Sequence, residues 1–288
     1  MVDPEFGTGC VKITPAHDLN DYEVGIKHNL EMINIMNADS SISDKAPEEY
    51  RGMSREAARK QIVSDLKDIN HLIKEEDYLH KVGYSERGNV PIEYYLSEQW
   101  FLKMEDLAKP AINAVRNKEI NFYPNHWVKT YNHWMDNIQD WCISRQLYWG
   151  HQIPVWYKKD ADRSNQDNWF VSTTPPTDLE NWEQDNDVLD TWFSSWLWPF
   201  AVHGWPDIKT TKYFPTNALV TGPDIIFFWV ARMIMSGYEF MGDLPFKDVY
   251  FTSILRDDKG RKLSKSLGNS PDPITLFETV SDTHVRAH

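Results

Sequence analysis

The sequence predicts an α/β protein organised around a parallel crossover, and three stretches carry that expectation. "ALVTG" (218–222) is a short apolar run closed by glycine, the pattern of a buried strand. "PDIIFFWVARMIMSGY" (223–238) follows as a helix, with Pro223 suited to its first turn. "DVYFTSIL" (248–255) reads as a second strand. Strand, helix, strand at this spacing is a parallel unit of right-handed sense. Ligands of such sheets gather at the carboxyl ends of the strands. Gly222, Asp224 and the loop "GRKLSKSLGN" (260–269) would therefore meet there.

Ahead of this unit the chain is less regular. Residues 7–14 combine the turn glycines Gly7 and Gly9 with a strand-like "CVKIT", and residues 38–52 form a polar excursion. A helix is expected from Ser54 to Ile69, with Ser54 as N-cap and Ala58, Ile62, Leu66 and Ile69 on one face. "GNVPIEYYLSEQWFLKM" (88–104) reads as extended, and a boundary is placed near residue 95. Helices are expected at about 104–117 and 131–149, the second carrying Trp134, Ile138, Trp141, Arg145 and Trp149 on one face. Residues 158–186 are hydrophilic and Pro-containing, the composition of an exposed insertion.

Composition narrows the class. At 288 residues, 41% hydrophobic and 25% charged, the chain can bury a sizeable core. No apolar run approaches the length of a membrane span, and "MVDPEFGTGC" lacks the layout of a signal peptide. Cys10 and Cys142 alone make neither a disulfide framework nor a four-ligand metal site, so a reducing, cytoplasmic setting is expected. A net charge of −13 argues against this chain carrying the main grip on a nucleic acid.

A Lys/Ser run is most often a solvated loop, but ammonium groups flanked by glycine also suit a phosphate chain. The run cannot settle this alone, and its place at the carboxyl ends of the strands favours the second. "KLSKS" (262–266) resembles the KMSKS loop of the class I aminoacyl-tRNA synthetases, with Leu263 in place of Met. "GPDIIFFWVARM" (222–233) resembles the ribose-binding G-x-D turn of that family. "DNIQDWCISRQLYWGHQIPVWY" (136–157) and "DVLDTWFSSWLWPF" (187–200) look like further family blocks. "GTGCVKITPAHDLNDYEVG" (7–25) is similar to the editing domain of the valyl type in particular. The isoleucyl and leucyl types are the nearest alternatives. A non-catalytic synthetase-derived binding module is a reading of another class, and a different nucleotidyltransferase on the same sheet is a third.

The resemblance implies a fold and a division. Residues 96–288 would be the second half of a class I, Rossmann-like parallel sheet ending at the KLSKS loop. Residues 1–95 would be the carboxyl-terminal part of the editing domain, a β-rich remnant. The implied activity is ATP-dependent activation of valine and its transfer to tRNA, with hydrolytic editing of mischarged threonyl-tRNA. The implied partners are valine, ATP with Mg2+, and tRNA held mainly by other domains, in a monomeric complete enzyme away from membranes. The family's H-x-G-H signature does not occur in the sequence, so the chain is expected to be a central fragment, inactive alone. "KKDADRSN" (158–165) stands where some members carry zinc-binding Cys pairs, so no structural zinc is expected.

Site residues follow from the same motifs. Lys262 and Lys265 would face the β- and γ-phosphates, with Ser264 and Ser266 beside them and Gly222 and Asp224 at the ribose. Trp192, Ile225 and Trp229 would wall the amino-acid pocket. Apolar walls discriminate weakly between valine and threonine, the standard illustration of that limit, which is why a second, hydrolytic site is needed. There Asp21 would anchor the ammonium of threonine, Asp18 and Thr14 would read its hydroxyl or hold water, and Lys12 would contact the tRNA end. His17 could orient the group or serve the loop; "HDLND" (17–21) also reads as a turn capping the next helix.

Overall fold

The structure is a computed structural model describing residues 3–5, 7–85, 88–207 and 212–275. The chain divides into two compact units, Met1–Glu98 and Gln99–His288.

In the first unit, helix α1 (Leu19–His28) starts at Asp18, whose carboxylate accepts from the Asp21 N–H, and ends at Asn29 in the left-handed region. Helix α2 (Arg55–Asp68) begins where expected, with the Ser54 hydroxyl accepting from the Ala57 N–H. Such a cap contributes about 1 kcal/mol. The apolar stripe of α2 is less useful than its spacing suggests. Ala58 is buried, but Ile62 and Ile69 are 41% and 57% exposed. Ala58 packs with Ile42 and Ala46 in a small cluster flanked by Tyr50 and Met53.

"CVKIT" does not form a strand. The Thr14 N–H that a neighbouring strand would have taken goes to the Asp21 carboxylate at 2.7 Å. Antiparallel pairing in this unit is limited, among the described residues, to the single bridges Met36–Ile42, Ser41–Ser54 and Tyr84–Pro91.

The second unit opens with strand β1 (Phe101–Leu102), helix α3 (Glu105–Arg116), strand β2 (Asn121–Tyr123) and helix α4 (Trp127–Asp136). Helix α3 lies as expected and buries Ala108, Ala111, Ala114 and Val115. The second expected helix does not reach residue 149. Beyond Asn137 the chain is extended, as β3 (Trp141–Cys142) and β4 (Ser144–Arg145), pairing with β1 and with β8 (Val188–Leu189). The helical spacing of Trp141 and Arg145 is outweighed by their polar atoms, which both bond to Asp190 Oδ2.

Residues 158–186 are more ordered than an exposed insertion. They supply β6 (Trp169–Val171) and β7 (Trp182–Gln184), which flank β5 (Val155–Lys158) in an antiparallel sheet. Asp185 ties this sheet down by accepting from the Tyr157 hydroxyl and the Trp100 indole. Among the described residues the antiparallel ladders thus fall within residues 101–189.

After the short helices α5 (Thr191–Ser195) and α6 (Trp198–Ala201) comes the crossover. Strand β9 (Thr216–Thr221) pairs in parallel with β10 (Phe246–Phe251), from Phe246–Thr216 to Phe251–Thr221. Strand β10 also pairs in parallel with β2, giving the order β2-β10-β9. The α/β class with a parallel sheet is borne out.

Between β9 and β10 the chain is helical over residues 223–241 but not as a plain α-helix. A 3-10 turn (Pro223–Ile225) leads into a π-helix (Ile226–Ala231), helix α7 (Arg232–Ser236) and a second π stretch (Gly237–Met241). Val230, Met233, Ile234 and Met235 from this run pack with Phe122, Tyr131 and Phe246 in the main core. The Tyr131 hydroxyl, buried there, donates to the Ala111 carbonyl at 2.9 Å. Among the described residues no helix is long and apolar enough to cross a membrane.

Candidate active site

Thr221 and Phe251 end the two parallel strands side by side. Gly222 follows directly, and a side chain there would have to displace the Asp224 carboxylate. An added Cβ would lie 2.6 Å from Asp224 Oδ1 and 3.1 Å from the Ile254 side chain. Glycine therefore lets the Asp224 carboxylate fold back over the strand end.

From β10 the chain makes a tight hairpin. Arg256 bridges to Lys262, the turn closes from Asp257 to Gly260 at positive φ, and the Leu263 N–H donates to the Leu255 carbonyl. This return carries Lys262 to Asp224, Nζ to Oδ2 at 2.6 Å. Ser264 and Ser266 share a hydroxyl–hydroxyl bond of 2.7 Å. The Lys265 side chain is exposed, with no ion pair to any described residue. The expected residues thus occupy one end of the sheet, with the Lys262–Asp224 pair joining the two loops.

The apolar residues lie on neighbouring elements. Helix α5 presents Trp192, and Trp229 on the π-helix donates from Nε1 to the Ser195 carbonyl at 3.1 Å. Trp192 stacks on Phe228, and both tryptophans pack against the main core half-buried. Ile225 is half-buried at the end of the 3-10 turn. The α-helical spacing expected for Ile225 and Trp229 is replaced by a 3-10 turn passing into a π-helix, a form frequent at functional sites.

Asp190 holds this corner. Its Oδ1 accepts from the Trp192 N–H, and Oδ2 accepts from the Trp141 indole and Arg145 Nη2 at 2.9 and 2.7 Å. Behind it the buried Arg232 guanidinium lies 3.5 Å from the centre of the Trp141 ring. Burial pushes the Arg232 pKa down to about 10, partly offset by Asp190, so the group stays charged at neutral pH. Sequence analysis missed Phe228, Asp190 and Arg232 as parts of this wall.

In the first unit, Lys12, Thr14, His17, Asp18, Asn20 and Asp21 line an open cleft of about 380 Å³. A polar chain runs across it. Lys12 Nζ donates to Thr14 Oγ1 at 3.2 Å, and that hydroxyl donates to Asp21 Oδ2 at 3.3 Å. Asp18 caps α1, so the turn role foreseen for "HDLND" is present alongside the cleft. His17 is a clasp. Its Nε2 accepts from the Ile35 N–H, which leaves Nδ1 protonated and donating to the Tyr94 carbonyl, both at 3.0 Å.

Residues 16–287 match the family model for class I tRNA synthetases of the isoleucine, leucine, methionine and valine group. The chain belongs to that family. Over 99% of its length it is 55% identical to the valine–tRNA ligase of Chlorobaculum tepidum, of which it covers 32%. The valine–tRNA ligase of Bacillus licheniformis gives the same figures, 55% identity over 99% of the chain and 32% of the relative. A solved methionyl-tRNA synthetase of Mycobacterium tuberculosis with methionyl-adenylate is 20% identical, covering 69% of this chain and 34% of that one, with a TM-score of 0.48. The chain spans about a third of the length of the curated relatives it matches.

As a class I tRNA synthetase the chain offers a carboxylate at a strand end, two lysines on the adjoining loop and an aromatic wall nearby. Among the described residues no three His, Cys, Asp or Glu side chains converge to hold a metal.

Proposed function

We propose that this chain carries the adenylate-forming end of a valine–tRNA ligase together with part of its editing site. The observation that supports this best is the meeting of Lys262 with Asp224 at the carboxyl ends of a parallel crossover. In this reading Asp224 accepts from the ribose hydroxyls of ATP, and Gly222 lets the nucleotide approach the backbone. Lys262 and Lys265 neutralise the β- and γ-phosphates, with Ser264 and Ser266 as further donors. Negative charge gathers on pyrophosphate as the valine carboxylate attacks the α-phosphate, so fixed ammonium groups favour the transition state over the bound reactants.

Trp192, Ile225 and Trp229 enclose the branched side chain. In the cleft of the first unit, Asp21 anchors the ammonium of mischarged threonine, Thr14 and Asp18 read its hydroxyl or hold water, and Lys12 meets the tRNA end. The setting is cytoplasmic and the complete ligase monomeric. This chain by itself catalyses no exchange, since its sequence contains no H-x-G-H motif to complete the cradle.

The test is amino-acid-dependent ATP–pyrophosphate exchange in a ligase of the relatives' length that carries these residues. Exchange should be supported by valine at the lowest KM. A preference for isoleucine or leucine would refute the valyl assignment, and no exchange with any of the three would favour a binding module.

A further inference from the structure

We propose that Asp257 and Asn269 are positioning residues that clasp the lysine loop from its two ends and set the backbone on which Lys262 and Ser264 stand. The proposal rests on the nucleotide reading of that loop. Neither residue belongs to the KLSKS run, and neither touches the Lys262 or Lys265 ammonium in the bonds formed.

The Asp257 side chain is only 10% exposed, although it lies in a surface hairpin. Its carboxylate accepts four bonds, about all the acceptor sites such a group has. Oδ1 takes the N–H groups of Lys259 and Arg261 at 3.0 and 2.8 Å. Oδ2 takes Arg261 Nε at 2.8 Å and Asn269 Nδ2 at 2.9 Å. The first pair shapes the turn. The second carries the restraint across to the far end of the loop, twelve residues on.

Asn269 completes the link. Its Oδ1 accepts from the Ser264 N–H at 2.9 Å, and its Nδ2 also reaches the Lys262 carbonyl at 3.3 Å. One carboxamide therefore grips the backbone on both sides of Leu263. A merely solvated loop needs no such arrangement, since water would satisfy each of these groups.

The division of labour is chemical. Arg261 is held against Asp257 and kept from the anion, while Lys265 stays exposed and Lys262 is tied only by its exposed pair with Asp224, which an anion can displace. Asp257 and Asn269 hold the backbone rather than the ammonium groups, so they place the roots of the lysines and leave the tips to be set by Asp224 or an incoming anion. Charge stabilisation at a departing group depends steeply on such placement. A shift of about 1 Å can cost roughly a hundredfold in rate.

The experiment uses Asn269→Ala and Asp257→Asn in the full-length ligase, with Lys262→Ala as reference. Pre-steady-state adenylate formation and the KM for valine are measured, together with amide hydrogen exchange along residues 216–269. Both variants should form adenylate roughly a hundredfold more slowly. KM for valine should be unchanged, and faster amide exchange should be confined to residues 257–269. Normal adenylate formation despite faster exchange at Ser264 would overturn the proposal. So would faster exchange spreading through β9 and β10, because the clasp would then be general scaffolding. If Lys262→Ala also formed adenylate at the normal rate, the nucleotide reading itself would fall, a result distinct from failure of the clasp alone.

Discussion

The Asp21 carboxylate already has one oxygen committed, to the backbone and hydroxyl of Thr14. In the proposed editing reading its other oxygen receives the ammonium of threonine, beside a lysine and a hydroxyl that are themselves linked. In the full-length ligase, Asp21→Ala should leave valine-dependent pyrophosphate exchange intact and allow threonyl-tRNA to accumulate. A deacylation assay on mischarged tRNA checks this, and unchanged hydrolysis would reduce Asp21 to an anchor for Thr14. The Lys262–Asp224 pair is also partly committed, but cheaply. With the side chains 58% and 45% exposed, it is worth about 0–1 kcal/mol, so a nucleotide can displace it at little cost. These residues were legible because their partners lie in recognisable local runs. His17 was not, since its two partners are Ile35 and Tyr94, the second 77 positions away. Asp257 was legible in principle, because an Asp three residues ahead of a glycine is a turn signal.

At the scale of elements, a local cap was readable and a long-range bond was not. Ser54 marked the start of α2 because an N-cap acts within one turn. Residues 141–145 carry a helical spacing yet form strands, because Asp190 draws Trp141 and Arg145 from 45 or more positions away. The hydrophilic composition of residues 158–186 concealed a sheet for a similar reason. Its order depends on Asp185 reaching Tyr157 and Trp100. That contact has a consequence at high pH. Burial, then the bond to Asp185, pushes the Tyr157 pKa up from 10 to about 12, despite Arg163 over its ring. The folded value lies above the unfolded one, so the stabilisation is complete below pH 10 and disappears as pH rises through about 12. Urea midpoints of the wild type should therefore fall more steeply across that window than those of Tyr157→Phe. Parallel curves for the two proteins would place Tyr157 outside the titrating set.

For the molecule as a whole, the strand–helix–strand pattern was enough to predict the parallel pairing of β9 with β10, whose determinants lie within residues 216–251, but not the third strand β2, which joins from residues 121–123. The location of the antiparallel ladders was not predicted, since short strands such as β3 and β8 have almost no sequence signature of their own. The crossover is what gives the Lys/Ser run its meaning. It brings the loop after β10 to the carboxylate after β9, which no property of "KLSKS" alone requires. Neutralisation of departing pyrophosphate by that loop is the central claim, and single-turnover adenylate formation measures it most directly. In the full-length ligase, Lys262→Ala and Lys265→Ala should each slow that step by about a hundred- to a thousandfold, roughly 3–4 kcal/mol of lost transition-state stabilisation. Valine binding should be little changed. Adenylate forming at the wild-type rate in both variants would contradict the account and leave the loop an ordinary solvated surface.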